Sequence, residues 1–334
     1  MDREAKFEKS YIEKMLLDNF LKLMPSFYEM QSSFLSGIYK RYGDLEGGHI
    51  VIFFARDLHL QILRKREKDL DFNLSLDNFW NNHKNINQGK KKVIFISKET
   101  GLPKETTRRK LINLIKKKHI KKIEKNKIFW EPVSEFKETY IKIIEEQISS
   151  LSKFIYEQGK FLNLNLSYVK IQKEIKTNYS FFWYHYLNFQ LEYIKFWQQR
   201  LKDLELLLIG LQAQIQTLNF LNRKTSVDFN SLFLNKLPKG INIKDANISA
   251  TSISEITGIP RATCIRKLEK LVNLGIFVRE TKTKRYYVNQ VAASRTKNIL
   301  TKDNVQQTVA IFSDFVAIVL NAMVRNRSFS SKYI

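Results

Sequence analysis

Apolar side chains recur every three or four residues over positions 11–40. There Ile12, Leu16, Phe20, Leu23, Phe27, Met30, Phe34 and Ile38 fall on one helical stripe, and Pro25 predicts a break or kink within it. Gly43, Gly47 and Gly48 read as a loop, and His49 to Lys68 as a further helix with Ile50, Phe54, Leu58 and Leu63 on its apolar side. Residues 71–88 are polar and Asn-rich around Leu74, Leu76, Phe79 and Trp80, which predicts a short helix and a loop. Further on, Pro132 is expected to end a strand and Ser134 to cap a helix reaching about Phe161. One helix of more than 40 residues is predicted from about Tyr179 to Leu221. It carries the densest aromatic run of the chain (Phe181, Phe182, Trp183, Tyr184, Tyr186, Phe189, Tyr193, Phe196 and Trp197), and its length suits an oligomer or domain interface. A last helix spans Lys302 to Arg327, with Val305, Val309, Phe312, Phe315, Val316, Val319, Leu320 and Met323 in one stripe, before a tail, 328–334, that is expected to fray.

Between these helices a pattern occurs twice. Phe95 to Trp130 matches Ser252 to Tyr287 at a shift of 157 residues without a gap, with twelve identities in 36 positions: Ile96, Ser97, Thr100, Gly101, Pro103, Thr106, Arg109, Lys110, Leu111, Leu114, Lys125 and Lys127 meet Ile253, Ser254, Thr257, Gly258, Pro260, Thr263, Arg266, Lys267, Leu268, Leu271, Lys282 and Lys284. Each copy reads as a short helix, a Gly-apolar-Pro turn, a longer basic helix and a two-stranded ribbon, the order of a winged helix-turn-helix. A weaker match at a shift of 129, with Tyr11-Ile12 on Tyr140-Ile141, Phe53 on Phe182, Leu58 on Leu187 and Gln61 on Gln190, extends the duplication upstream and implies 28 extra residues before the second copy. The expected fold is therefore mainly α: two winged helix-turn-helix units with small β-wings, joined by long amphipathic helices, an internal duplication forming a pseudo-dimer. In chain order the segments are N-terminal helices (1–48), first winged-helix unit (49–133), long aromatic-rich helices (134–222), second winged-helix unit (223–290) and C-terminal helix (291–334).

In the first copy Ser97 is expected to cap or open the short helix, Gly101 to allow the reversal and Pro103 to start the longer helix, which runs to Lys118. Leu111, Leu114 and Ile115 turn inward with Thr107 in a small gap. The outward face offers Lys104, Glu105, Thr106, Arg108, Arg109 and Asn113 near the end that enters a major groove in such motifs. The second copy offers Arg261, Ala262, Thr263, Ile265, Arg266 and Lys270. Arg109 and Arg266 are the base-reading candidates, because a guanidinium fork matches guanine O6 and N7, with phosphate contact the equal alternative. Lys125 and Lys127 form the first wing tip, and Lys282, Lys284 and Arg285 belong to the second; about eight phosphate contacts predict a log–log salt slope near −7.

Charge strengthens this picture. Lys and Arg number 57 against 33 Asp and Glu, a formal charge of +24, so a polyanion is the expected partner. AT-rich codons alone would also enrich Lys, but between Lys90 and Lys127 fifteen basic and three acidic side chains place half of the excess in 38 residues. The single cysteine, Cys264, excludes an intramolecular disulfide and reads as a small buried apolar residue, with a redox-sensing thiol the sharper alternative. The charged N-terminus lacks a signal-peptide core, and the apolar runs Leu204–Leu211 and Phe315–Val324 fall short of the roughly 20 residues a membrane helix needs. The expectation is a cytoplasmic protein of the bacterial nucleoid, with no membrane partner and no cofactor. His49, His59, His83, His119 and His185 are scattered, and no phosphate loop, metal cluster or nucleophile motif occurs, so no enzyme is expected.

The segments LPKETTRRKLINLIKKKHI and IPRATCIRKLEKLVNLGIF resemble the recognition-helix regions of bacterial winged-helix regulators of the MarR and IclR families. The second copy fits better, with Leu268, Leu271, Gly275, Ile276 and Val278 in place; in the first, Lys118 stands where that glycine is expected and the wing is shorter. The resemblance covers about 70 residues and implies a transcriptional regulator of double-stranded DNA, each motif reading one half-site of an asymmetric target. Regulators of this kind are dimers with one motif per chain, so two motifs here imply a covalent pseudo-dimer, with half-sites about one helical turn apart. Homo-oligomerisation through the long helices and a small-molecule effector held near Trp183, Tyr186 and Phe189 are compatible additions. A replication initiator with tandem winged helices, or a chromosome-organisation scaffold binding protein, are the alternative functions.

Overall fold

The computed structural model describes residues 7–123, 127–131, 134–233, 237–289 and 299–330, except for the side chains at 123, 127, 134 and 326–330. Among the described residues the chain is mainly helical, with fourteen α-helices and two small antiparallel two-stranded sheets. The helices α1 (Lys9–Asp18) and α2 (Phe20–Tyr42) carry the predicted stripe, and all eight of its residues are buried. Each such side chain removed from water contributes about 2 kcal/mol. The break lies at Asn19, not at Pro25 as the sequence predicts. Pro25 sits in the second turn of α2, where it removes one backbone bond and the helix continues.

The predicted loop after α2 is also shorter. Gly43 alone is left-handed (φ 65°), Asp44 accepts a hydrogen bond from the Glu46 amide at 3.2 Å, and α3 (Leu45–Lys68) already contains Gly47 and Gly48. Next come α4 (Leu76–Asn82), α5 (Val93–Thr100), α6 (Lys104–Lys116), β1 (Lys121–Ile123), β2 (Lys127–Phe129) and α7 (Lys137–Phe161). A 3-10 turn over Ser134–Phe136 precedes α7, whose N-cap is Phe136, so Ser134 does not occupy the cap; Pro132 lies outside the described residues.

The single helix predicted after α8 (Tyr168–Thr177) is two: α9 (Tyr179–Leu201) and α10 (Leu204–Lys224). Lys202 turns left-handed at φ 57° and the Asp203 carboxylate accepts from the Glu205 amide at 3.1 Å. The motif Gly43-Asp44-Leu45-Glu46 thus returns as Lys202-Asp203-Leu204-Glu205, a residue with positive φ followed by an Asp cap. The chain continues through α11 (Phe229–Phe233), α12 (Ala250–Thr257), α13 (Arg261–Asn273), β3 (Phe277–Arg279), β4 (Tyr286–Val288) and α14 (Lys302–Ser330). The eight predicted apolar positions of α14 are buried, and its backbone stays helical through Ser330, beyond where fraying was expected.

These elements correct the upstream register of the duplication. Helices α1 and α8 both have 10 residues, and α2 and α9 both have 23. The starts of α1, α2 and α3 meet those of α8, α9 and α10 at a shift of 159. At 129, Phe53 of α3 falls on Phe182 of α9, helices that hold different places in the order. Helices α5 and α12 (8 residues each) and α6 and α13 (13 each) keep the shift of 157.

The chain forms two compact units that do not follow sequence order. Among the described residues, one comprises those within 44–199 together with 318–330; the other comprises 7–43 and those within 200–317. In the first unit the module α3 to β2 runs on into α7, α8 and α9. In the second, the corresponding module α10 to β4 runs on into α14, and the helix pair is supplied by α1 and α2 from the start of the chain. The packing follows suit: a Cβ on Gly101 would lie 3.0 Å from Lys195 Cγ of α9, whereas one on Gly258 would lie 3.7 Å from Lys40 Cγ of α2. Within the second unit Phe27 of α2 stacks on Phe312 of α14 at 4.1 Å, and Gln212 of α10 donates to Ser32 Oγ at 2.8 Å.

Two helices, Leu204–Lys224 and residues Lys302–Arg325 of α14, are long and apolar enough to cross a membrane, which the shorter uninterrupted apolar runs did not reveal. In these windows 61% and 56% of residues are buried inside the protein, as in core helices.

His49 and His59 of α3 are fully buried in the first unit. Their counterparts at the shift of 159 are Leu208 and Leu218 of α10, also buried. Burial pushes the His49 pKa down to about 4, although Nε2 donates to the Thr100 carbonyl at 3.0 Å, and pushes His59 down to about 3. Between the ordinary value of 6.5 and these depressed values only the unfolded chain binds the protons, so stability is complete above 6.5 and falls as pH drops through the window. Each histidine is expected to remove about 2 kcal/mol by pH 5. All four tryptophans (Trp80, Trp130, Trp183, Trp197) lie in this unit, so urea unfolding followed by tryptophan fluorescence at pH 7 and 5 reports it directly. The double substitution His49→Leu/His59→Leu should flatten the pH dependence; an unchanged pH dependence would show that the histidines do not set it.

Candidate nucleic-acid interface

Each unit presents one helix whose outer face is cationic, and the same local chemistry builds both. At the end of α5 the Ser97 hydroxyl donates to the Leu102 carbonyl at 2.7 Å and Thr100 Oγ1 donates back to Ile96 at 2.8 Å. Ser254 and Thr257 repeat both bonds at 2.7 Å, to Ile259 and Ile253. Ser97 therefore staples the turn instead of capping the helix, whose N-cap is Lys92. Gly101 (φ 72°) and Gly258 (φ 76°) reverse the chain in a conformation that disfavours a Cβ. Pro103 and Pro260 occupy the N-cap positions of α6 and α13.

The inward faces match the sequence reading. Thr107, Leu111 and Leu114 are buried in α6, as are Cys264, Leu268 and Leu271 in α13, while Ile115 is half-buried. Cys264 thus sits where Thr107 does, and burial pushes its thiol up to about 11, away from the thiolate that redox sensing requires. Predicted to extend to Lys118, α6 ends at Lys116, and Lys118 adopts φ 59° where Gly275 adopts 73°.

Orientation depends on a partly buried ion cluster that appears twice. Lys110 Nζ lies 2.7 Å from Asp44 Oδ2 and 3.1 Å from Glu46 Oε2. Lys267 Nζ lies 2.6 Å from Asp203 Oδ2 and 2.8 Å from Glu205 Oε2. Each cluster pins the middle of a cationic helix to the start of α3 or α10. Burial opposes the ammonium charge, but the paired carboxylates outweigh it and hold both lysines above their ordinary pKa. In the sequence Lys110 and Lys267 stand out only as identities between the two copies; the signal for their partners is the recurring Asp-Leu-Glu at 44–46 and 203–205.

On the outer face of α6, Lys104, Arg108, Arg109 and Asn113 are exposed and Thr106 is half-buried. Arg108 is engaged by Glu105, which accepts from its Nη2 at 2.7 Å and its Nε at 3.1 Å; these bonds hold the Glu105 carboxyl below its usual range. Arg109 makes no hydrogen bond or ion pair among the described residues. On α13, Arg261, Arg266 and Lys270 are exposed and Thr263 is half-buried. Arg261 Nε donates to Thr251 Oγ1 at 3.0 Å, and Lys270 lies 3.7 Å from Asp203. Arg266, like Arg109, has no such partner. Lys282, Lys284 and Arg285 are exposed at the second hairpin, where Lys284 is left-handed at φ 57° and Arg285 donates to Asn247 Oδ1 at 3.1 Å. Lys125 and the Lys127 side chain lie outside the described residues. Trp183, Tyr186 and Phe189, around which an effector site was expected, are themselves buried. No three His, Cys, Asp or Glu side chains converge into a metal-binding group among the described residues.

Comparison with protein-family models, curated proteins and solved structures finds no match to this chain. The likeness that remains is internal, between the two modules.

Two substitutions test how these helices are held. Lys110→Met leaves Asp44 and Glu46 without their partner and is expected to destabilise the first unit by on the order of 2 kcal/mol at pH 7 in urea unfolding. The raised lysine pKa makes this contribution complete below about 10.4, the ordinary lysine value, and lost as pH rises through the folded value. A Met variant of unchanged stability at pH 7 would remove the cluster from the account. Conversely, Lys118→Gly relieves a left-handed side chain and should stabilise the first unit by about 1 kcal/mol.

Proposed function

We propose that the protein is a DNA-binding transcriptional regulator whose two modules are winged helix-turn-helix units, α6 and α13 entering the major groove and the β1–β2 and β3–β4 hairpins serving as wings. The observation that carries this reading is the repeated construction. Two helices of 13 residues, each preceded by a Gly-apolar-Pro turn and clamped at its middle lysine, present at the same register an arginine with no hydrogen bond or ion pair among the described residues, Arg109 and Arg266. A cationic face that served only solvation would not need the same anchor twice.

Within this reading Lys104, Thr106, Arg109 and Asn113 contact one half-site, and Arg261, Thr263, Arg266 and Lys270 the other. Lys282, Lys284 and Arg285 meet phosphates. Arg108 joins the first group once a phosphate displaces Glu105 from it, an exchange the solvent-exposed pair permits. The two faces differ in charge and in shape, so the target is asymmetric.

Binding of full-length protein to duplexes selected from a random library tests the reading. Arg109→Ala and Arg266→Ala should each weaken the selected site by about 1–3 kcal/mol and relax base preference at different positions. The log–log salt slope of the parent protein should lie near −7. Equal loss across random DNA would reduce both arginines to phosphate contacts, and absence of any selected sequence would refute specific regulation. A genomic footprint confined to one replication origin would instead favour the initiator function.

A further inference from the structure

The two modules differ most at the flank of their hairpins. In the second, the segment before α12 closes that flank through a one-residue antiparallel bridge: Ile248 N donates to Tyr286 O at 2.8 Å and Tyr286 N donates to Ile248 O at 2.9 Å. Beneath it, Glu269 of α13 is held by Arg279 at 2.9 Å and accepts from Tyr286 Oη at 2.7 Å. In the first module Lys91 stands for Ile248, Ile112 for Glu269 and Lys122 for Arg279 at the shift of 157, and Ile128, the cross-strand partner of Lys122, holds the place of Tyr286, the cross-strand partner of Arg279; none of those bonds is made. Lys91 instead reaches Asp57 of α3 at 2.8 Å. The preceding segment is tied further along, where the Gln88 side chain donates to Trp130 O at 2.6 Å and accepts from Trp130 N at 3.2 Å, as a strand's backbone would. Among the described residues no segment bridges Ile128, and a groove of about 540 Å³ opens between Lys90–Lys92, α6 and the hairpin. Its floor is apolar, formed by Val93, Leu111, Ile112, Ile115 and Ile128, and Ile112 is 55% exposed. Lys90, Lys92 and Lys122 rim it, with no ion pair among the described residues.

We infer that this groove is a docking site for an extended segment of a partner protein that alternates aliphatic and acidic residues. The second module shows what fills the same place there: a backbone bridged to the hairpin with the aliphatic side chain of Ile248, while Arg279 is paired with Glu269 of α13, a carboxylate that the first module replaces with Ile112, leaving Lys122 without one. The partner segment adds as a strand beside Ile128, lays its aliphatic side chains on Ile112 and Ile115, and sets its carboxylates against Lys92 and Lys122. Duplex DNA supplies the negative charge but neither the strand edge nor an apolar face for Ile112. This inference does not depend on DNA binding.

The test uses full-length protein and a labelled 12-residue peptide alternating Glu and Val, read by fluorescence anisotropy at about 0.15 M salt, where exposed charges alone are largely screened. Saturable binding is expected, weakened at least about tenfold by Ile112→Asp, by Lys122→Glu and by N-methylation of the peptide on its bonding edge. Lys244→Glu, exposed in the second unit, should leave it unchanged. Ile112 and Lys122 are exposed, and tryptophan fluorescence verifies that both variants fold. Absence of saturable binding, equal binding of an isomer with its Glu and Val residues in separate blocks, or indifference to Ile112→Asp would each overturn the docking site. So would a loss in Ile112→Asp of duplex-DNA binding alone, which would assign the groove to nucleic acid.

Discussion

The lysine held by two carboxylates is the constraint on which both modules depend. A helix whose outer face stays cationic must keep that face apart from the protein's own acidic groups, yet it must be fixed firmly enough to present that face in one orientation. Lys110 and Lys267 solve this by being the cations that turn inward, each joined to an Asp that also caps the next long helix. The Asp therefore acts twice, once on a backbone amide and once on the ammonium, so the start of α3 or α10 and the middle of α6 or α13 are set together. The neighbouring Arg109 and Arg266 are left facing outward.

Around this shared anchor the modules diverge. The second is internally complete: its hairpin is bridged by Ile248, Glu269 is paired with Arg279, and glycine occupies the left-handed position after α13. The first has Lys118 at that position, two buried histidines where the other unit has leucines, a hairpin edge left open beside an apolar groove, and half of the excess charge. These features describe one regular copy and one that has kept the anchor while acquiring chemistry the other lacks.

Much of this was legible in the residues. The apolar stripes of α1–α2 and α14, the Gly-apolar-Pro turns and the inward faces of α6 and α13 follow from periodicity and turn chemistry, because local sterics and burial decide them. The break at Lys202-Asp203 was hidden because a lysine, not a glycine, takes the left-handed turn, so α9 and α10 read as one helix. That fusion made the aromatic run of α9 compete with α3 in the alignment and produced the register of 129 in place of 159. The composition of the units lay beyond any reading along the chain: α1 and α2 pack with elements some 200 residues later, a long-range pairing that local patterns do not encode. Within the site, exposure of Arg109 and Arg266 was foreseeable from helix periodicity, whereas the engagement of Arg108 by Glu105 and of Lys91 by Asp57 depended on rotamers and on the approach of α3.

Whether the protein reads DNA through two unequal anchored helices is decided by hydroxyl-radical footprinting of the protein on duplexes selected from a random-sequence pool. One enriched asymmetric sequence is expected, with two separate protected segments of different base composition. A pool that shows no enrichment, or a single protected segment unaffected when either arginine is removed, would contradict it.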